Sequence, residues 1–260
     1  MSWYPPGKRD ANGPEVDGLV MAVLEAAAAR GVAVCLHLEP WPGRTAADVL
    51  GDVAYAVSAY GSHPAYHRID GRPAFFAYDS YQLPAAEWRR ARAAPDAPAA
   101  FLIALVLEPR HLDDYVGGGG FDGAYSYFGA AGFTRCSVLG AWAGLVAAAK
   151  ARGGVFVPCV APGYDDTRVR PWNAENSRDR DDGRYYERAW AAAIASGAER
   201  IAVTSFNEWH EGTQIEAAVK AAPTRPGVPP YADYGDRGPD AYLAQTATNV
   251  AAFAAARGPF

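Results

Sequence analysis

The sequence predicts an α/β fold: a barrel of parallel strands alternating with helices, of the TIM (β/α)8 kind, in one domain spanning residues 1–260. Three observations predict it. Short apolar, β-branched or aromatic runs alternate with Ala-rich segments of helical spacing, which implies parallel strands joined by crossover helices. The reactive-looking residues fall just after the strands, and the C-terminal edge of a parallel sheet is where such folds do their chemistry. No Gly-rich phosphate fingerprint follows any strand, which sets aside an open nucleotide-binding sheet.

Ser2-Trp3 reads as the end of a strand, cut off by Pro5-Pro6-Gly7 because proline cannot donate to a ladder. Leu19, Val20, Val23 and Leu24 predict a helix between Gly18 and Arg30, ended by Gly31. Val32 to Leu38 is a buried strand running into Glu39-Pro40. A helix from Thr45 to Tyr60 precedes the strand Pro73 to Tyr78, which ends at Asp79-Ser80-Tyr81. A helix from Ala85 to Ala94 precedes the strand Phe101 to Leu107, which ends at Glu108. After a four-glycine turn, Phe121 to Phe128 carries Tyr125 and Tyr127. A helix from Leu139 to Ala151 leads to the strand Val155 to Val160, which ends near Tyr164. A polar loop over 167–184 and a helix from Tyr185 to Ser196 lead to the strand at Ile201. Six full strands and the stub at Ser2-Trp3 leave the expected barrel two strands short.

With 50% hydrophobic residues among 260, a sizeable core is expected. A net charge of -5, with both signs interspersed, excludes the basic stripe that nucleic acid or an anionic membrane would require, so the expected partner is neutral. Cys35, Cys136 and Cys159 are odd in number and unevenly spaced, and read as small buried hydrophobes, neither a disulfide framework nor a metal set. No apolar run reaches the roughly 18 residues of a membrane span, and no basic region with a hydrophobic stretch opens the chain as written. Seven Trp and fifteen Tyr suit the faces of sugars, although core packing accounts for many such rings.

The densest polar stretch is Thr204 to Glu216, which follows the apolar run Ile201-Ala202-Val203. Glu208 and Glu211 lie three positions apart, crowded by Asn207, Trp209, His210 and Gln214. Ionised groups are costly to bury without partners, so the stretch makes a poor core and a good active-site rim. Two neighbouring carboxylates can have their pKa values driven apart and serve as acid and base, a pairing that suits glycoside hydrolysis. Rival readings are weaker. His210-Glu211 begins like a zinc-protease helix, but position 214 is Gln. Asp179, Asp181 and Asp182 hint at a calcium loop whose twelfth position is Trp190. Ser80 and Ser205 lack a nucleophile-elbow context. No metal and no cofactor are expected. His37 and Glu39, at i and i+2 of a strand end, share one face, and a satisfied buried pair explains them as well as substrate contact does.

Several motifs in order, Ser-Trp-Tyr-Pro-Pro (2–6), His-Leu-Glu-Pro (37–40), Tyr-Asp-Ser-Tyr (78–81), Phe-Asp-Gly (121–123), Pro-Gly-Tyr (162–164), Arg-Pro-Trp-Asn (170–173) and Ser-Phe-Asn-Glu-Trp-His-Glu-Gly-Thr-Gln-Ile-Glu (205–216), give the chain its character. Together the sequence resembles glycoside hydrolase family 99, the endo-α-1,2-mannosidases and mannanases. The resemblance implies a metal-free (β/α)8 barrel that cleaves within α-1,2-linked mannosides with retention. It assigns Glu208 to the substrate's 2-hydroxyl, which closes to a 1,2-anhydro sugar, and Glu211 to the acid/base role. His37, Glu39, Tyr125 and Tyr127 match positions lining the cleft, and the expected substrate contacts also include Tyr4, Asp79, Tyr81, Tyr164, Arg170, Trp172, Asn207, Trp209 and His210. The expected partner is an oligosaccharide or mannan and the expected state a monomer. Compared with the family, the first strand and most of the second are expected to be absent; with a longer N-terminus the resemblance would suggest a secreted or cell-envelope location. The alternative expectation is a non-catalytic carbohydrate-binding remnant.

Overall fold

The computed structural model describes residues 1–11, 13–219 and 230–257. Its contacts divide it into two compact units, the first made of residues 1–125 and 148–155, the second of 126–147 and 156–260.

The first unit is a parallel sheet with helices between its strands. Its strands are β1 (Ser2–Trp3), β2 (Leu36–Leu38), β3 (Arg68–Ile69), β4 (Arg72–Ala77), β5 (Phe101–Leu105) and β6 (Gly123–Tyr125). The order is β1-β2-β4-β5-β6, with β3 folded back antiparallel on β4. The register sets Trp3 beside Leu38, Leu38 beside Ala77, Ala77 beside Ala104, and Leu105 beside Tyr125. Aligned strands end together, so the residues that follow each of them emerge along one edge. β4 is paired on both sides, and its Ala74, Phe75 and Ala77 are almost wholly buried, as a strand covered on both faces demands.

The connecting helices α1 (Val20–Ala28), α2 (Ala46–Tyr60) and α3 (Ala85–Arg92) bury narrow apolar stripes. In α2 the buried residues Ala46, Val49, Leu50, Val53, Ala56 and Tyr60 repeat at three and four positions. Its start is set by a capping box in which the Asp48 amide donates to Thr45 Oγ1 at 3.2 Å and the Thr45 amide to Asp48 Oδ2 at 2.9 Å. The Thr45 hydroxyl, donating to Asp48 Oδ2 at 2.6 Å, and then the Thr45 amide hold the Asp48 carboxyl below its ordinary range. α3 places Trp88 in the core, with its indole donating to Ser80 O at 3.1 Å.

The second unit holds β8 (Cys159–Val160) parallel to β9 (Ala202–Val203), α5 (Arg184–Ala195) and α6 (Ala241–Arg257). β7 (Val155–Val157) and α4 (Trp142–Lys150) straddle the division between the units. The expected strand Val155 to Val160 is thus interrupted at Pro158, which has no N–H to give a ladder. α5 buries Tyr186, Ala189, Trp190 and Ala193 at helical spacing. α6 lies beyond the last element the sequence reading placed. It carries Tyr242, nearly fully buried, which packs against Tyr186 and Tyr234 at 6.1 and 4.6 Å between centroids. The guanidinium of Arg180 lies over Tyr234 and Tyr242, 4.9 and 4.5 Å from the two ring centroids, and donates to the carbonyls of Gly212 and Gln214. The expected polar loop is therefore tied to the core of this unit by one cation, Arg180. Among the described residues, no helix is long and apolar enough to cross a membrane.

Candidate active site

In the second unit, β9 ends at Val203 and the chain turns through Thr204 to Glu216. Ser205 Oγ accepts from the Glu208 amide at 2.8 Å, and Thr213 returns its amide to Glu208 O at 3.3 Å. The loop is closed on itself before any side chain points outward. Residues Trp209–Glu211 form one short 3-10 turn, begun by Glu208 Oε1 accepting from the His210 amide at 3.1 Å. Gly212 ends it in the left-handed region at φ +62°, with a Cβ at that position only 3.0 Å from Asp165 O, so glycine alone fits. The adjoining Asp165 amide donates to Glu211 O at 2.8 Å, which docks the loop after β8 onto the turn that bears both glutamates.

Glu211 is the most perturbed carboxyl of this turn. Its side chain is 20% exposed, and burial, seconded by the charge of Glu208, pushes its carboxyl up to about 7. Arg170 opposes the shift from 3.7 Å. Arg170 is itself held at 3.0 Å by Asp166, a fully buried carboxylate that also accepts from Tyr164 Oη at 3.0 Å and from the Asn173 amide group at 3.0 Å. Burial and the carboxylates of Glu211 and Asp166 push the Tyr164 phenol above its ordinary range. Asp166 is therefore an organiser of the site. Its only sequence cue is its place four residues before Arg170, just after a strand.

The remaining expected residues of this unit separate into those drawn into the cluster and those left outside. Trp209 is anchored by its indole on Glu216 Oε2 at 3.0 Å, and its ring meets Tyr231 edge to face at 5.8 Å. His210 is exposed and its Nδ1 lies 3.4 Å from Tyr231 Oη. Asn207 is exposed at the tip of the turn, and Trp172 is 80% exposed on the 3-10 segment Pro171–Asn176. Tyr127 sits at φ +49° and its carbonyl accepts from Thr204 Oγ1 at 2.7 Å, so its backbone braces the base of the Thr204–Glu216 turn.

The first unit gathers a second polar cluster at the ends of its strands. His37 Nδ1 lies 2.8 Å from Glu39 Oε1 and His37 Nε2 lies 2.7 Å from Tyr125 Oη. Ser2 Oγ donates to the same Glu39 oxygen at 2.8 Å. Because a carboxylate oxygen accepts, Glu39 accepts a hydrogen bond from His37 Nδ1–H, which makes Nε2 the acceptor for the Tyr125 hydroxyl when the ring is neutral. The i and i+2 pairing expected for His37 and Glu39 is thus a built chain of four residues. Arg44, buried behind it, donates to Glu39 O and Tyr78 O at 3.3 and 2.7 Å and ties two strand ends together. Asp79 stands at φ +51° and accepts from Gln82 at 2.7 Å, and burial raises its carboxyl. Tyr81 is pushed up to about 12 by burial and by Asp79. Tyr4 is nearly buried, with its hydroxyl on Asp10 at 2.8 Å.

Among the described residues, no three His, Cys, Asp or Glu side chains are grouped to hold a metal ion. Asp181, one of the residues that hinted at a calcium loop, instead takes Arg184 and Arg188 as partners. Cys136 and Cys159 are buried, and burial pushes the Cys159 thiol up to about 11, the environment of a packing residue and not of a nucleophile.

Comparison with known proteins extends the picture. The chain is 41% identical over 258 residues to a glycoprotein endo-alpha-1,2-mannosidase-like protein of Danio rerio, covering 95% of this chain and 58% of that one. It is 39% identical over 258 residues to the glycoprotein endo-alpha-1,2-mannosidase of Mus musculus, covering 95% of this chain and 55% of that one. The chain thus spans a little over half the length of these curated relatives. The solved GH99 endo-alpha-mannosidase of Bacteroides thetaiotaomicron superposes with a TM-score of 0.90 at 40% identity, over 99% of this chain and 75% of that one. The fold class is accordingly α/β of the (β/α)8 kind. The family model for glycosyl hydrolase family 99 matches residues 1–255, and with a match that runs through every motif described above, this chain belongs to glycosyl hydrolase family 99.

Proposed function

We propose that the chain is a retaining, endo-acting glycoside hydrolase for α-1,2-linked mannosides, with Glu208 and Glu211 as its catalytic pair. The observation that carries the reading is the state of Glu211: a carboxyl raised to about 7 beside a second carboxylate is protonated in a large fraction of molecules near neutral pH, as a general acid must be. The endo-α-1,2-mannosidase relatives supply the substrate class.

The reaction divides into two steps. In the first, Glu208 takes the proton from the 2-hydroxyl of the sugar being cleaved, and O2 forms a bond to the anomeric carbon. The bond to the leaving oxygen breaks as Glu211 gives that oxygen its proton. In the second, Glu211, now ionised, takes a proton from water. The water oxygen attacks the anomeric carbon, the bond to O2 breaks, and O2 recovers its proton from Glu208. Two inversions leave the anomer retained. Arg170 counters part of the charge that accumulates when Glu211 ionises between the steps. In this reading His37, Glu39, Tyr125, Tyr127, Tyr4, Asp79, Tyr81, Tyr164, Arg170, Trp172, Asn207, Trp209 and His210 are the sugar contacts, and the chain acts as a monomer.

The test is cleavage of an α-1,2-mannan or a glucosylated mannose oligosaccharide by the Glu208→Gln and Glu211→Gln chains. Both should lose turnover by several orders of magnitude, and the product released first by the unsubstituted chain should be the α-anomer by NMR. Undiminished turnover in either variant would overturn the assignment.

A further inference from the structure

Ser205 and Thr213 meet across the neck of the Thr204–Glu216 turn, their hydroxyl oxygens 2.9 Å apart. Ser205 Oγ accepts from the Glu208 amide at 2.8 Å, so its own proton is available to Thr213 Oγ1. Thr213 Oγ1 lies 3.4 Å from Glu208 O and donates to it, beside the Thr213 amide at 3.3 Å. The donors therefore run in one ring, from Glu208 N–H to Ser205, from Ser205 to Thr213, and from Thr213 back to Glu208 C=O. Both peptide groups that flank Glu208 are held by the same pair of hydroxyls.

The ring is locked in place by packing. Thr213 is fully buried, and its methyl closes over Gly129, where a Cβ would come within 3.1 Å of Thr213 Cγ2. A β-branched side chain whose methyl is fixed has its hydroxyl fixed too. The backbone closes the neck as well, the Ser205 amide donating to Thr213 O at 3.0 Å and the Ile215 amide to Ser205 O at 3.1 Å. Glu211 draws on different groups. Its carbonyl accepts from the Asp165 amide at 2.8 Å, its carboxylate lies 3.7 Å from Arg170, and the next carbonyl, that of Gly212, accepts from Arg180 at 2.8 Å. Two glutamates three residues apart are thus anchored by separate sets of atoms.

Separate anchors allow separate control. A base that must meet one hydroxyl proton works only from a narrow range of positions, and a small shift of the backbone that carries it is passed on to its carboxylate. One carboxylate oxygen of Glu208, Oε1, is already tied to the same turn by the His210 amide at 3.1 Å. We infer that Ser205 and Thr213 are positioning residues for Glu208: their linked hydroxyls fix the peptide groups from which the base projects, independently of Glu211. The inference rests on the hydrolase reading above.

Thr213→Val, Thr213→Ser and Ser205→Ala test it with two substrates that share one glycone, one releasing a mannose and the other fluoride. Fluoride leaves without a proton, so only the mannoside draws on Glu211 in the first step, while both draw on Glu208. Thr213→Val keeps the branched shape and loses the hydroxyl. It should lower kcat/KM roughly tenfold on both substrates alike, through kcat, with KM within about threefold of the unsubstituted chain. Thr213→Ser, which keeps the hydroxyl, should stay within about threefold on both. Ser205→Ala removes the other hydroxyl of the ring, should match Thr213→Val, and takes its place if that chain does not fold. A fall on the mannoside alone, no fall on either substrate, or an equal fall in Thr213→Ser overturns the inference. An unsubstituted chain that cleaves neither substrate overturns the hydrolase reading alone, and amide hydrogen exchange then decides. Faster exchange at Glu208 in Thr213→Val, with the Asp165 amide that is bonded to Glu211 O unchanged, upholds the separate anchoring. An unchanged rate at Glu208, or equal acceleration at both amides, overturns it.

Discussion

Arg170 stands between two carboxylates, its Nη1 3.0 Å from Asp166 Oδ2 and 3.7 Å from Glu211 Oε1. The shorter contact is to the fully buried partner, so the guanidinium is held by Asp166 and lends Glu211 only part of its charge.

Opposite pH shifts should therefore follow from the two neighbours. Arg170 lowers the pKa of Glu211 and Asp166 raises it. The Arg170→Gln chain should move the alkaline limb of the kcat/KM profile to higher pH, and Asp166→Asn should move it lower. Shifts of the same sign in both variants would contradict the electrostatic account of Glu211.

Stability should carry the mark of the same carboxyl. A Glu held at about 7 in the folded chain, against an ordinary 4.5, binds its proton more tightly when folded, so stability is greatest below pH 4.5 and falls as pH rises toward 7. The loss is on the order of 3 kcal/mol at most. Glu211→Gln, which cannot ionise, should raise Tm relative to the unsubstituted chain at pH 8 and match it more closely at pH 4.5. Calorimetric melts at the two values check this, and an equal difference at both would refute it.

Substrate chemistry supplies a third expectation. If Glu208 works on the sugar's own 2-hydroxyl, a substrate methylated at that oxygen on the sugar being cleaved has no proton to give and cannot close the 1,2-anhydro ring. Turnover should fall below detection by chromatography, whereas methylation at O6 of the leaving sugar should leave the bond cleavable. Cleavage of the 2-O-methyl substrate at a normal rate would remove Glu208 from that role.

A local prediction concerns the scaffold. Thr45→Ala removes the side-chain half of the α2 capping box and should cost about 1 kcal/mol in denaturant melts, with kcat unchanged.

Local sterics made much of this chain readable in advance. The strand expected at Pro73 to Tyr78 forms as β4 (Arg72–Ala77), because aromatic and apolar residues in a short run need burial on both faces. The helix expected at Thr45 to Tyr60 starts one residue later, since Thr45 is its cap. The clustering of Glu208 and Glu211 on one polar turn was equally legible, because the two lie within a single loop and ionised groups seldom sit in a core. Shorter strands than expected, such as β9 with two residues, reflect pairing: alternation and apolarity say where a strand can run, but only a neighbour's hydrogen bonds say how far it does.

The sequence by itself determined the alternation of strands and helices, the position of the polar edge and the two glutamates on it. Which of those glutamates is raised, and by what, was decided only in three dimensions. Burial and the neighbouring charge of Glu208 raise Glu211, Arg170 and Asp166 act on it through space from a loop more than forty positions earlier, and Arg180 joins that loop to Gly212 and to Tyr242 of α6. Burial and Coulomb interaction depend on distance between atoms and on the water excluded around them, and separation along the chain records neither.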